Sequence, residues 1–117
     1  MSNKFYPVTE LKEVINAEGF LNAPDATIRI LGFDSRKLTD VKHTLFFAIK
    51  SRRDGHQFLQ DVYDQGIRNF VISDESTAIT NYPDTNTLLV KDTLQALHTL
   101  TAWHRKQFDY PVIAITG

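Results

Sequence analysis

The sequence predicts an α/β domain with a mixed central sheet flanked by helices, and three observations predict it. Leu45–Ile49 and Val112–Ile115 are continuous apolar runs of strand length, the pattern of strands covered on both faces. Phe58, Leu59, Val62 and Tyr63, and again Ala96, Leu97, Leu100 and Trp103, recur at helical spacing. Strand-like and helix-like segments alternate along the chain, which implies right-handed crossovers and parallel pairing. A length of 117 residues with 42% hydrophobic content is enough for one core and one domain.

Each element follows from local chemistry. Pro7 and Thr9 precede Leu11, Val14 and Ile15, so a short helix is expected over Thr9–Ala17, with Gly19 as its stop. Asn22, Pro24 and Asp25 form a turn. Thr27–Phe33 then alternates as a strand ending at Asp34. Arg36–His43 is polar and aperiodic, and Leu45–Ile49 is the central strand. Asp54 and Gln57 have the spacing of a capping box and open a helix that Gly66 ends.

Asn69–Ile72 is the next strand. Ser73–Thr87, rich in Asp, Ser, Thr and Asn, is the longest irregular segment, with room for a short helical turn. Leu88–Val90 is a brief strand, after which Asp92 and Gln95 repeat the cap of a helix running to about Gln107. On that helix His104 flanks the buried face and His98 faces solvent. Asp109-Tyr110-Pro111 breaks it, and a last apolar strand runs into Thr116-Gly117, as it would at the threshold of a further domain.

Composition excludes several functions. Thirteen basic against fourteen acidic residues leave a formal charge of −1, so no global field draws the chain to nucleic acid or an anionic membrane. No segment approaches the ~20 apolar residues of a bilayer span, and the start, Met1-Ser2-Asn3-Lys4, lacks the apolar core of a signal peptide; the expectation is a cytoplasmic protein. Without cysteine there is no disulfide, thiolate zinc site or thiol nucleophile. The four histidines lack the close spacing of metal ligands, and neither a G-x-S-x-G elbow nor a complete phosphate-binding loop is present.

The polar groups that could bind a ligand cluster around the central strand. Asp34-Ser35-Arg36 follows a strand end. It reads either as turn residues with a solvated arginine, or as a hydroxyl and guanidinium suited to phosphate oxygens. Lys50, Arg52, Arg53 and His56 form a local basic cluster, either a surface loop or a diphosphate site. Asp54 suits an N-cap better than a catalytic acid. Gly55 permits a close backbone approach, and His43 stands near the same strand.

Taken in order, Asp34-Ser35-Arg36, Leu45–Ile49, Asp54-Gly55-His56 with Phe58, Gly66 before Phe70-Val71-Ile72, and Val112–Gly117 resemble the N-terminal, substrate-binding domain of the Mur ligases of peptidoglycan synthesis. Within that family the pattern is most similar to the branch that adds D-alanyl-D-alanine to UDP-N-acetylmuramoyl-tripeptide. The Phe46-Phe47 pair, Arg52–His56 and His104–Phe108 are similar to the Bacteroidetes type fused to an alanine racemase.

The resemblance implies a domain over residues 1–110, with 111–117 opening a central ATP-binding domain. Ser35, Arg36, Phe47, Ala48, Asp54, Gly55 and His56 would lie around the UDP moiety, and Thr116 and Gly117 would begin the ATP loop. No catalytic residue or metal ligand is implied. The fragment alone would be inactive and hold no cofactor. ATP and Mg²⁺ would serve the full-length enzyme, whose central and C-terminal domains would be this domain's partners, with pyridoxal phosphate only if a racemase follows. The alternatives are the ligase that adds the third peptide residue, and a non-catalytic interaction domain of the same fold.

Overall fold

The computed structural model describes residues 5–49, 55–74, 82–106 and 114–116. β1 (Tyr6–Pro7) pairs antiparallel with β3 (Thr27–Ile28), and α1 (Val8–Val14) follows β1. The main sheet contains β2 (Glu18–Leu21), β4 (Ile30–Gly32), β5 (Thr44–Phe47), β6 (Asn69–Ile72), β7 (Asn86–Leu89) and β8 (Ala114–Thr116). Its order is β2-β7-β6-β5-β4-β8, with β2 antiparallel to β7 and every other pair parallel. α2 (Leu59–Asp64) connects β5 to β6, and α3 (Thr93–Arg105) follows β7. The expected mixed sheet flanked by helices is therefore the observed one.

β5 is buried along its whole length, and its alternating side chains feed two cores. Leu45 and Phe47 join Val8, Leu11, Leu97 and Leu100 beneath α1 and α3. Phe46 and Ala48 join Leu59, Val62, Phe70 and Ile72 beneath α2. Each fully buried aromatic or aliphatic side chain contributes about 1.5–3 kcal/mol, so this strand anchors both faces. Thr93 Oγ donates to the Ala48 carbonyl at 2.9 Å, fastening the start of α3 to the end of β5.

The expected caps hold at the start of α3 and the end of α2, whereas α1 begins at Val8, with Thr9 inside the helix and no side-chain cap. The Asp92 carboxylate accepts from the Gln95 backbone N–H at 3.1 Å, the forward half of the expected box. Gly66, at φ +112°, closes α2: its N–H donates to Tyr63 and that of Ile67 to Val62, a Schellman ending. Asp54 lies outside the described residues, and the chain enters α2 through a 3₁₀ turn, Gly55–Phe58.

Four expectations need correction. Asn16, at φ 52°, ends α1, because the helix stops at Val14; Gly19 instead lies inside β2. The strand expected over Thr27–Phe33 divides into β3 and β4 between Ile28 and Ile30, where the Arg29 N–H bonds the His43 carbonyl. β7 begins at Asn86, since Asn86 and Thr87 are buried strand residues despite their polarity. His43 belongs to the 3₁₀ turn Val41–His43 at the amino end of β5, the opposite edge from Asp34-Ser35-Arg36. Residues 75–81 of the expected irregular segment lie outside the described residues.

Gly19 adopts φ +107°, and a Cβ there would stand 2.1 Å from the Thr87 carbonyl oxygen. Gly19→Ala must force β2 from β7, and a urea titration should show a loss of at least about 2 kcal/mol. An unchanged midpoint would mean that β2 contributes nothing to the fold.

His104 is 1% exposed, and its Nδ1 lies 2.5 Å from the Tyr6 hydroxyl, with the two rings edge to face. Burial pushes the imidazole below its ordinary value. The unfolded chain therefore takes up this proton first, so stability is full above about pH 6.5 and falls as pH drops from there through the lower folded value. Thermal melts from pH 7.5 to 5 should show that decline, reduced in His104→Gln; equal slopes would contradict it.

Candidate functional site at the carboxyl edge of the sheet

The parallel strands β4, β5, β6 and β7 lie side by side in chain order, whereas β8 pairs on the other flank of β4. The winding therefore reverses between β4 and β8. In open α/β sheets the crevice beyond the carboxyl ends at such a point is where ligands bind. Gly32, the last residue of β4, is the register partner of Thr116, the last of β8. Asp34-Ser35-Arg36 and the Thr116 step are thus brought to the same edge at the reversal.

The turn after β4 is built by Asp34. Its Oδ1 accepts from the Arg36 backbone N–H at 2.9 Å and from Arg36 Nε at 3.0 Å, while Oδ2 accepts from Nη2 at 3.1 Å. Its carbonyl accepts from the Lys37 N–H. Gln65, just past α2, donates from Nε2 to the Ser35 carbonyl at 2.9 Å, a tether across thirty positions that no local sequence signal reveals. The Asp34 side chain is 13% exposed and that of Arg36 83% exposed. Arg36 is thus held by its inner edge and presented to solvent. Phe33, beside it, is also exposed, although the strand pattern left its side open.

Hydrogen bonds from the Arg36 side chain and backbone lower the Asp34 carboxyl to about 2. The arginine is correspondingly held in its charged form.

The other expected site residues are placed as follows. Phe47 and Ala48 are fully buried. The Ala48 N–H donates to the Val71 carbonyl at 2.9 Å, so these two shape the strand end rather than offer side chains. Gly55 and His56 lie in the 3₁₀ turn before α2, Thr116 ends β8, and Asp54 and Gly117 fall outside the described residues. Lys50, Arg52 and Arg53 fall outside them too. A wide depression of about 960 Å³ adjoins this edge at the ends of β6 and β7, where Asp74 and Asp92 accompany Lys91. Those carboxylates disfavour an anion, which leaves the Ser35-Arg36 turn as the better place for one.

A scan against protein-family models finds no match. Curated relatives do match: a UDP-N-acetylmuramoyl-tripeptide--D-alanyl-D-alanine ligase of Haemophilus influenzae is 31% identical over 109 residues, covering 92% of this chain and 22% of the relative. The protein of that name in Escherichia coli is 33% identical over 111 residues, covering 94% of this chain and 23% of the relative. MurF from Acinetobacter baumannii superposes with a TM-score of 0.72 at 24% identity, over 89% of this chain and 22% of that one. The chain is an N-terminal domain of the Mur ligase family.

This Mur ligase domain spans between a fifth and a quarter of the length of the curated relatives it matches. None of the relatives' names mentions a racemase. Among the described residues, no helix is long and apolar enough to cross a membrane.

Because Asp34 stays ionised down to about pH 2, the Arg36 clamp should persist at pH 4, where an ordinary aspartate would be about half protonated. The clamp is present above the carboxyl's value and is lost only as pH falls through it. The Arg36 Nε–H resonance should stay protected from exchange at pH 4 and lose that protection in Asp34→Ala. Loss of protection near pH 4 in the unaltered chain would contradict the clamp.

Proposed function

We propose that the domain recognises the uridine-diphosphate end of UDP-N-acetylmuramoyl-tripeptide and positions it for ATP-dependent addition of D-alanyl-D-alanine by the whole polypeptide. The names of the curated relatives support that choice of reaction over addition of the third peptide residue. The observation that carries the reading is the Ser35-Arg36 turn at the winding reversal, its guanidinium exposed and oriented by Asp34. A diphosphate accepts hydrogen bonds from a guanidinium fork, and Arg36 retains outward donors while two others hold Asp34. Phe33, three positions earlier, is also exposed and offers apolar surface.

In this reading the domain supplies binding and orientation, and none of its residues enters the bond-forming steps. ATP and Mg²⁺ are assigned to the remainder of the polypeptide, and the nucleotide-sugar substrate places the reaction in the cytoplasm.

Titration calorimetry with UDP and with UDP-N-acetylmuramoyl-tripeptide tests it. Arg36→Ala should weaken both about tenfold to a hundredfold, the effect of losing one or two charge-assisted hydrogen bonds. In the whole enzyme the same change should raise KM for the nucleotide substrate and leave kcat nearly unaltered. An unchanged KM would remove Arg36, and with it this assignment of the turn.

A further inference from the structure

The amino-terminal edge of the sheet carries polar chemistry that the nucleotide reading does not use. A half-open pocket of about 320 Å³ lies there, lined by residues at the starts of β5, β6 and β7. Asn69 and Asn86 line it; they are register partners on β6 and β7, and each is 1% exposed.

The backbone decides which way both amides point. The Ala23 N–H donates to Asn86 Oδ1 at 2.8 Å, so the other end of that amide is Nδ2. It donates at 2.8 Å to the Ala23 carbonyl and at 2.8 Å to Asn69 Oδ1. Asn69 therefore uses its oxygen on Asn86, and its own Nδ2, with two N–H groups, meets no acceptor among the described residues. Leaving a buried donor unpaired costs about 1–3 kcal/mol, and the large majority of buried side-chain polar atoms in folded proteins have a partner. An acceptor from outside the protein resolves this.

The surrounding groups indicate which acceptor. Lys42 is exposed in the same lining, with no acidic partner among the described residues. Arg68 spends Nε on Asp84 and Nη1 on the carbonyls of Tyr63 and Ile67, which leaves Nη2. His43 has Nδ1 on Asp40 at 3.0 Å, and Nε2 remains. Of the lining carboxylates, Asp84 is engaged by Tyr63 and Arg68, and Asp25 is exposed. Uncommitted donors thus predominate over uncommitted acceptors. One water occupies about 30 Å³ of liquid, so the space is several times larger than a structural water requires and reaches the lower bound of small-ligand pockets, about 300 Å³.

We infer that this pocket is a second binding site, for a small carboxylate, with Asn69 Nδ2 donating to a carboxylate oxygen and Lys42 and Arg68 supplying the positive charge. It lies at the edge opposite the Ser35-Arg36 turn, so it stands or falls independently of the nucleotide assignment.

Titration of the ¹⁵N-labelled chain with sodium acetate at pH 7 tests it, with sodium chloride of equal ionic strength and inorganic phosphate as comparisons. Acetate should move the Asn69 Nδ2 amide resonances saturably, by more than either comparison does. Asn69→Asp keeps an acceptor for Asn86 and removes the donor, and should weaken acetate at least tenfold. Lys42→Ala alters an exposed side chain that the fold does not need. It should weaken acetate several-fold, and it decides the matter if Asn69→Asp fails to fold. Shifts no larger than those of chloride, equal shifts with phosphate, or undiminished affinity in Lys42→Ala would overturn the proposal. So would a persistent contact between the Asn69 amide and a bound water that acetate does not displace.

Discussion

Everything in this domain depends on β5 being apolar on both faces. A parallel strand covered by helices on each side cannot place a polar side chain mid-strand without burying it, so Leu45, Phe46 and Phe47 are all enclosed. Alternation then distributes them: Leu45 and Phe47 hold α1 and α3, and Phe46 holds α2. Truncating Phe46 would open a cavity beneath α2, and truncating Phe47 one beneath α1 and α3, at about 3–5 kcal/mol each. The same constraint drives polar chemistry to the two ends of the strands, where backbone leaves the sheet and side chains reach water or one another.

That segregation explains what was legible in the sequence. The continuous run Leu45–Ile49 announced a central strand, and Asn69–Ile72 was found to the residue, because double burial leaves an unbroken apolar signature. Gly66 and Asp92 were legible as helix boundaries, since their effects are local. β2 was not. Glu18-Gly19-Phe20-Leu21 is an edge strand, exposed along most of its length, and its pairing is determined by Gly19 fitting against the Thr87 carbonyl rather than by any pattern of its own. The start of β7 was hidden for a related reason. Asn86 is polar in sequence yet buried, and the partners that permit this, Ala23 and Asn69, are 63 and 17 positions away.

The candidate site divides along the same line. Motif order located Asp34-Ser35-Arg36, and the local geometry follows from residue type, because an aspartate two positions ahead of an arginine can accept from both its backbone and its guanidinium. Its setting within the fold could not be read that way. That β4 and β8 are neighbours, that the winding reverses between them, and that Gln65 reaches back to Ser35 are long-range facts. The turn alone leaves an exposed ion pair that is weakly informative; at a winding reversal, and in a member of this family, the same pair becomes an oriented donor.

The two ends of the sheet also differ in stiffness, and this bears on what each can recognise. At the carboxyl edge Arg36 sits on a turn with most of its side chain in solvent, held by its inner edge on Asp34 while its outer donors keep their freedom. At the amino edge Asn69 and Asn86 project from paired strands, locked amide to amide and amide to backbone, with almost no surface exposed. A donor fixed in this way loses little conformational entropy on binding and discriminates against a ligand that cannot accept from it, because binding such a ligand would leave the amide unpaired. The carboxyl edge thus carries an exposed, adaptable donor, and the amino edge a buried, rigidly held one.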